Sequence, residues 1–157
     1  MKTLAFIITA FITFSGVAQT ADAFAEIDKD EVPNEVITAF NDIEPNIAVD
    51  SWRVERTTYE AKFENNKHWI FHRFNDEGLY LETRMLKNWE KDASKDLKEG
   101  IMKTTYKYYD VIEYYEVETF DEDKYYVVQL EDEHTKDLHT LYMEDNGSLR
   151  NISKSGY

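Results

Sequence analysis

Two periodicities take turns along this chain. Val36, Ile37, Phe40 and Ile43 recur at helical spacing, which predicts a helix with Pro33 in its first turn and a stop at Pro45. A period of two follows. Tyr59-Glu60-Ala61-Lys62-Phe63 places apolar groups on one side and charges on the other, the mark of a half-buried strand. Four strands are predicted here, over roughly 49–56, 58–64, 67–74 and 79–86. Asn75-Asp76-Glu77-Gly78 reads as a hairpin turn in which Gly78 takes positive φ.

The same order then recurs. Leu97, Ile101, Thr105 and Tyr108 step along one face of a helix predicted over 90–109, which Gly100 weakens by about 1 kcal/mol. Strands are predicted over 111–120, 124–131, 137–143 and 148–153. Tyr126-Val127-Val128-Gln129-Leu130-Glu131 takes the place of Tyr59 to Glu64, and Glu144-Asp145-Asn146-Gly147 the place of the first turn. The expectation is an α+β fold read as α-β-β-β-β twice. Each tandem unit would be a helix with a four-stranded antiparallel sheet, the helices packed on one sheet face. The units divide at 32–88 and 89–157.

The chain ahead of them has a different character. Lys2 supplies a positive start, Leu4 to Phe14 is an apolar run of 11 residues, and Gly16-Val17-Ala18 supplies small residues. This is a signal-peptide pattern over residues 1–18 with cleavage after Ala18; Ala21-Asp22-Ala23 offers a second site. A membrane span needs about 20 apolar residues, so a membrane anchor is not expected. Residues 19–31 read as a flexible acidic segment. The expected location is the periplasm or the exterior.

Composition narrows the chemistry. Thirty-two acids against 18 Lys and Arg give a net charge of −14, which repels nucleic acid and anionic lipid. The absence of cysteine removes disulfides, thiolate metal sites, a thiol nucleophile and a lipid-bearing thiol. No Gly-x-Ser-x-Gly motif occurs, and the five glycines do not cluster into a phosphate loop. His68 and His72 have the spacing of a helical zinc pair but lie in a predicted strand, where four residues span about 13 Å. The acidic runs Asp28-Lys29-Asp30-Glu31 and Asp121-Glu122-Asp123 lack the ligand ladder of a calcium loop. No catalytic residue, metal or cofactor is expected.

Aromatic residues are the remaining lead: nine Phe, three Trp and eleven Tyr. If Tyr59, Ala61, Phe63, Ile70 and Phe74 face the helices, strict alternation turns Trp69 and Phe71 to the other side. Adjacent pairs such as Tyr114-Tyr115 and Tyr125-Tyr126 must also divide between the faces. Trp69, Phe71, Tyr114 and Tyr125 are the candidate partner-binding residues, since Trp and Tyr make strong interface anchors. The expected partner is another envelope protein or a peptide, with a basic one favoured by the acidic residues alongside. The alternative is a small-ligand or cation-binding protein with a cleft between the halves.

Several of these segments together resemble the PepSY-like family of bacterial envelope proteins, grouped with the β-lactamase-inhibitor-protein fold. The carriers are Val32-Pro33 with Val36, Ala39 and Phe40, then Trp52, Tyr59 to Phe63, and Phe74 to Gly78, with a second copy from Leu97 to Ile152. The resemblance implies a small periplasmic protein with a signal peptide, of a kind common in the Bacteroidetes. It implies a helix-backed antiparallel sheet in tandem and protein binding, inhibition being one form of it. It carries over no catalytic residue. The second copy departs at its start, where Lys98 stands in the place of Pro33.

Overall fold

The computed structural model describes residues 24–150. The leader, its cleavage sites and the end of the last predicted strand lie outside the described residues. Eight strands form one antiparallel sheet in sequence order. They are β1 (Ala25–Ile27), β2 (Ser51–Glu55), β3 (Thr58–Asn65), β4 (His68–Asn75), β5 (Tyr80–Leu86), β6 (Asp110–Thr119), β7 (Lys124–Glu131) and β8 (Leu138–Met143). Three α-helices, α1 (Asn34–Ile43), α2 (Trp89–Asp92) and α3 (Lys95–Met102), connect them. Among the described residues no helix is long and apolar enough to cross a membrane.

The helices bury the apolar side of the sheet. Val36 and Phe40 of α1 pack with Trp52, Ala61, Phe63 and Phe74. The Phe40 ring meets Trp52 and Phe63 edge-on at 5.7 and 5.4 Å between centroids. Leu97 and Ile101 of α3 pack with Tyr114, Val128, Leu130, Leu141 and Met143. Each such large side chain contributes about 1.5–3 kcal/mol by leaving water. His72 lies among the first group, its Nδ1 2.6 Å from Thr83 Oγ1 and its Nε2 3.4 Å from Glu44. Burial lowers its pKa more than Glu44 raises it, so it serves as a packed neutral imidazole. His68 is exposed at the strand's start, and the two do not form a metal pair.

The structure revises the sequence reading in four places. The halves do not carry separate sheets: β5 pairs directly with β6, from Glu82↔Thr119 to Leu86↔Tyr115. The acidic segment contributes β1, paired with β2, and a 3-10 turn at Lys29–Glu31. The long helix predicted over 90–109 is two short ones. Ser94 breaks it by capping α3, its Oγ accepting from Leu97 N at 3.2 Å. The helix then stops at Met102, because the Thr104 hydroxyl donates to Ile101 O at 2.7 Å and accepts from Tyr106 N at 3.1 Å. Tyr108, placed on that helix face by spacing, is 78% exposed. The last predicted strand contributes only the bridge Met143↔Leu149 among the described residues.

Both glycine turns do more than reverse the chain. Gly78 has φ +80°, and a Cβ there would lie 2.6 Å from Glu35 O at the start of α1. Gly147 has φ +76°, and its Cβ would lie 2.0 Å from Asp96 O at the start of α3. Each hairpin turn therefore sits against the first turn of its own helix and sets the helix's distance from the sheet. Gly147→Ala combines backbone strain with a steric clash and is expected to cost about 2–4 kcal/mol, with Gly78→Ala costing less. Urea unfolding of the two variants checks the order.

Candidate binding face

The side of the sheet away from the helices is built from the charged positions of the alternation. Cross-strand register sets Arg53 opposite Glu60, Glu60 opposite Arg73, and Arg73 opposite Glu82. A register shift after Arg73, which pairs Phe74 with Tyr80, keeps Glu82 in line. The next row runs Lys62, Phe71, Arg84, Val117 and Tyr125. Four strands thus bring three arginines and two glutamates together.

They form a continuous lattice. Glu60, 1% exposed, accepts from Arg53 on Oε1 and from Arg73 Nε on Oε2 at 2.7 Å. Glu82 Oε1 accepts from Arg84 Nε at 2.7 Å and from Arg73 Nη1 at 3.3 Å. Its Oε2 accepts from the Tyr125 hydroxyl at 2.5 Å. All four carboxylate oxygens are engaged. Burial pushes the Glu82 carboxyl up, but the Arg84 and Arg73 guanidinium groups outweigh it and hold its pKa below the ordinary 4.5. Burial likewise opposes the charge on Arg84, and Glu82 more than restores it. The Tyr125 hydroxyl is pushed up by burial and by Glu82.

Aromatic rings frame the lattice. The Phe71 ring lies 5.1 Å from the Arg53 guanidinium and the Phe24 ring 4.4 Å from that of Arg73. Lys62 Nζ stands 4.1 Å over Trp69. Phe71, Tyr115, Val117, Tyr125 and Val127 form a third apolar cluster on this side. Between the arginines and Phe24 lies a pocket of about 110 Å³, which Glu113, Tyr115 and Gln129 also line.

Of the four residues chosen from sequence, Trp69, Phe71 and Tyr125 meet on this face, with Trp69 partly buried and Phe71 and Tyr125 buried at its centre. Tyr114 does not. It is 3% exposed on the helix side, where the Trp89 ring lies edge-on at 5.3 Å. A register shift between Val111 and Glu113 sets the phase of β6, sending Tyr114 to the helix side and Tyr115 to the helix-free face. The sequence reading passed over Arg53, Glu60, Arg73, Glu82 and Arg84. Their signal was the alternation of charge sign along one face of successive hairpins. Among the described residues no group of three His, Asp or Glu is placed to hold a metal ion.

No family model and no curated protein matches the sequence. Solved structures share the fold. A DUF2874 family protein from Bacteroides ovatus superposes with a TM-score of 0.62 at 18% identity, over 74% of this chain and 83% of that one. A protein from Bacteroides eggerthii, provisionally described as periplasmic, gives 0.63 at 13% identity over 75% and 85%. A BLIP-like protein from Bacteroides fragilis gives 0.57 at 19% identity over 75% and 83%. The chain therefore has the β-lactamase-inhibitor-like fold that its sequence led us to expect.

Two outcomes follow from the lattice. Glu60→Ala leaves Arg53 without its carboxylate and Arg73 with Glu82 alone, and should cost about 3–5 kcal/mol in urea unfolding. The depressed Glu82 carboxyl stabilises the fold fully above its unfolded pKa near 4.5, and that stability is lost as pH falls through the lower folded value. Glu82→Gln should flatten the acid limb of a stability-against-pH curve below about pH 4.5, and an unaltered limb would contradict the assignment.

Proposed function

We propose that this chain is an exported, non-enzymatic envelope protein of the PepSY-like kind that binds another protein or peptide through the helix-free face of its sheet. The observation that carries this reading is the composition of that face. Partly exposed Trp69, Arg53 and Arg73 share it with the buried Phe71, Tyr115, Tyr125 and Arg84. Trp, Tyr and Arg are the residue types that dominate interface energetics. The leader pattern of residues 1–18 supports export, and the fold shared with BLIP-like and provisionally periplasmic proteins of Bacteroides is consistent with an envelope role. Inhibition of a bound enzyme is the form of binding that a BLIP-like fold suggests.

We infer also that the halves derive from one duplicated unit. Val36, Phe40 and Gly78 in the first have their counterparts in Leu97, Ile101 and Gly147 in the second, with the same packing of turn on helix. In this alignment Ser94, not Lys98, takes the place of Pro33. The three guanidinium groups lining this pocket, beside Glu60 and Glu113, favour the small-ligand half of the rival reading at this place.

Affinity capture from envelope extract at low salt tests the proposal. A component retained by the native chain and by Lys95→Glu, an exposed side chain of α3, should be lost with Trp69→Ala and with Lys62→Glu. Retention that does not distinguish the two sides, or no retention at all, would count against a binding role for this face.

A further inference from the structure

We propose that the pocket between Arg53, Arg73 and Arg84 is a carboxylate-binding site, which receives an acidic side chain or a free C-terminus of the partner. The inference rests on the helix-free face being the binding surface, and it names the group that this surface takes.

Donor and acceptor counting points to it. Arg53 and Arg73 offer five N–H donors each, and their bonds to Glu60 and Glu82 engage one of Arg53 and two of Arg73. Arg53 Nε is buried and has no hydrogen-bond partner among the described residues. A buried orphan donor is rare, and at a pocket wall it marks a place for an acceptor. Glu113 is the one further carboxylate on the wall, and its Oε2 already accepts from the Tyr115 hydroxyl at 2.7 Å. Gln129 is the remaining polar side chain of the lining.

Size and shape select among acceptors. About 110 Å³ holds a carboxylate on a short stem, well under the 300–1,000 Å³ of a drug-sized or cofactor pocket. The planar fork of a guanidinium matches the two oxygens of a carboxylate. The Phe24 and Phe71 rings lie against Arg73 and Arg53 and hold those planes in place before the ligand arrives. At a net charge of −14 the chain does not attract free anions from a distance. A carboxylate carried in by a docking partner meets the arginines only at contact range, which suits an anchor within a larger interface.

The test follows the arginine Nε–Hε signals by NMR in the chain beginning at Gln19, at fixed ionic strength set with chloride. Acetate is the probe, acetamide its neutral counterpart and sulfate its tetrahedral one. Acetate should move the Arg53 signal saturably while acetamide leaves it unmoved. Arg53→Gln, at the most exposed of the three arginines, should retain the native circular dichroism and weaken acetate binding about tenfold. A shift that does not saturate, an equal response to acetamide, or tighter binding of sulfate would overturn the proposal. Asp22, two residues before Phe24, is the other source of a carboxylate. Unchanged acetate affinity in Asp22→Asn supports the partner as the source, and a tenfold gain would assign the pocket to the chain's own carboxylate and overturn that part. Acetate binding without any retained partner leaves the pocket standing and removes the proposed function. A retained partner with an Arg53 signal blind to acetate does the reverse.

Discussion

A carboxylate buried between two guanidinium groups governs the helix-free face of this sheet. Glu60 is 1% exposed, and both its oxygens are held by arginines on the neighbouring strands. The sheet has helices on one side only, so its other side cannot be a plain apolar core. It carries instead charges that satisfy one another across four strands, with aromatic rings packed around them. The cost of desolvating those charges is offset only because nearly every group has a partner, which makes the lattice intolerant of single deletions.

The helix side supplies the stability that this arrangement does not. Two apolar clusters, one under α1 and one under α3, bury Phe40, Phe63, Phe74, Leu97, Leu130 and Met143 almost completely. Each helix is held at its distance from the sheet by a glycine turn against its first residues. The pairing of β5 with β6 then joins the two halves into one surface. Rows of side chains run without interruption from Lys62 to Tyr125 across that join. A face assembled this way is broad and chemically mixed, which suits the binding role proposed for it.

Much of the fold was legible in the sequence, because alternation and turn chemistry are local. Tyr59 to Phe63 fixed which side of β3 faces the helix, and Asn75 to Gly78 marked its turn correctly. The Tyr114-Tyr115 pair was not resolvable, since its phase depends on a register shift near Val111 that no propensity announces. The second helix was overextended because Leu97, Ile101 and Tyr108 keep a helical period through a segment that Ser94 and Thr104 interrupt by hydrogen bonding the backbone. The lattice was missed for a different reason. Arg53, Glu60, Arg73 and Glu82 occupy the polar positions of their strands, and such positions read as solvated until the strand register shows that they stack on one another.

If the lattice is kept for recognition, the fold should not need it. Urea unfolding of the triple variant Arg53→Met, Glu60→Leu, Arg73→Met measures this most directly, because it replaces whole ion pairs by apolar groups of similar volume. The account predicts a midpoint equal to or above that of the native chain, together with loss of acetate binding. A midpoint that falls as far as that of Glu60→Ala would contradict it, and would make the lattice a structural element of the sheet.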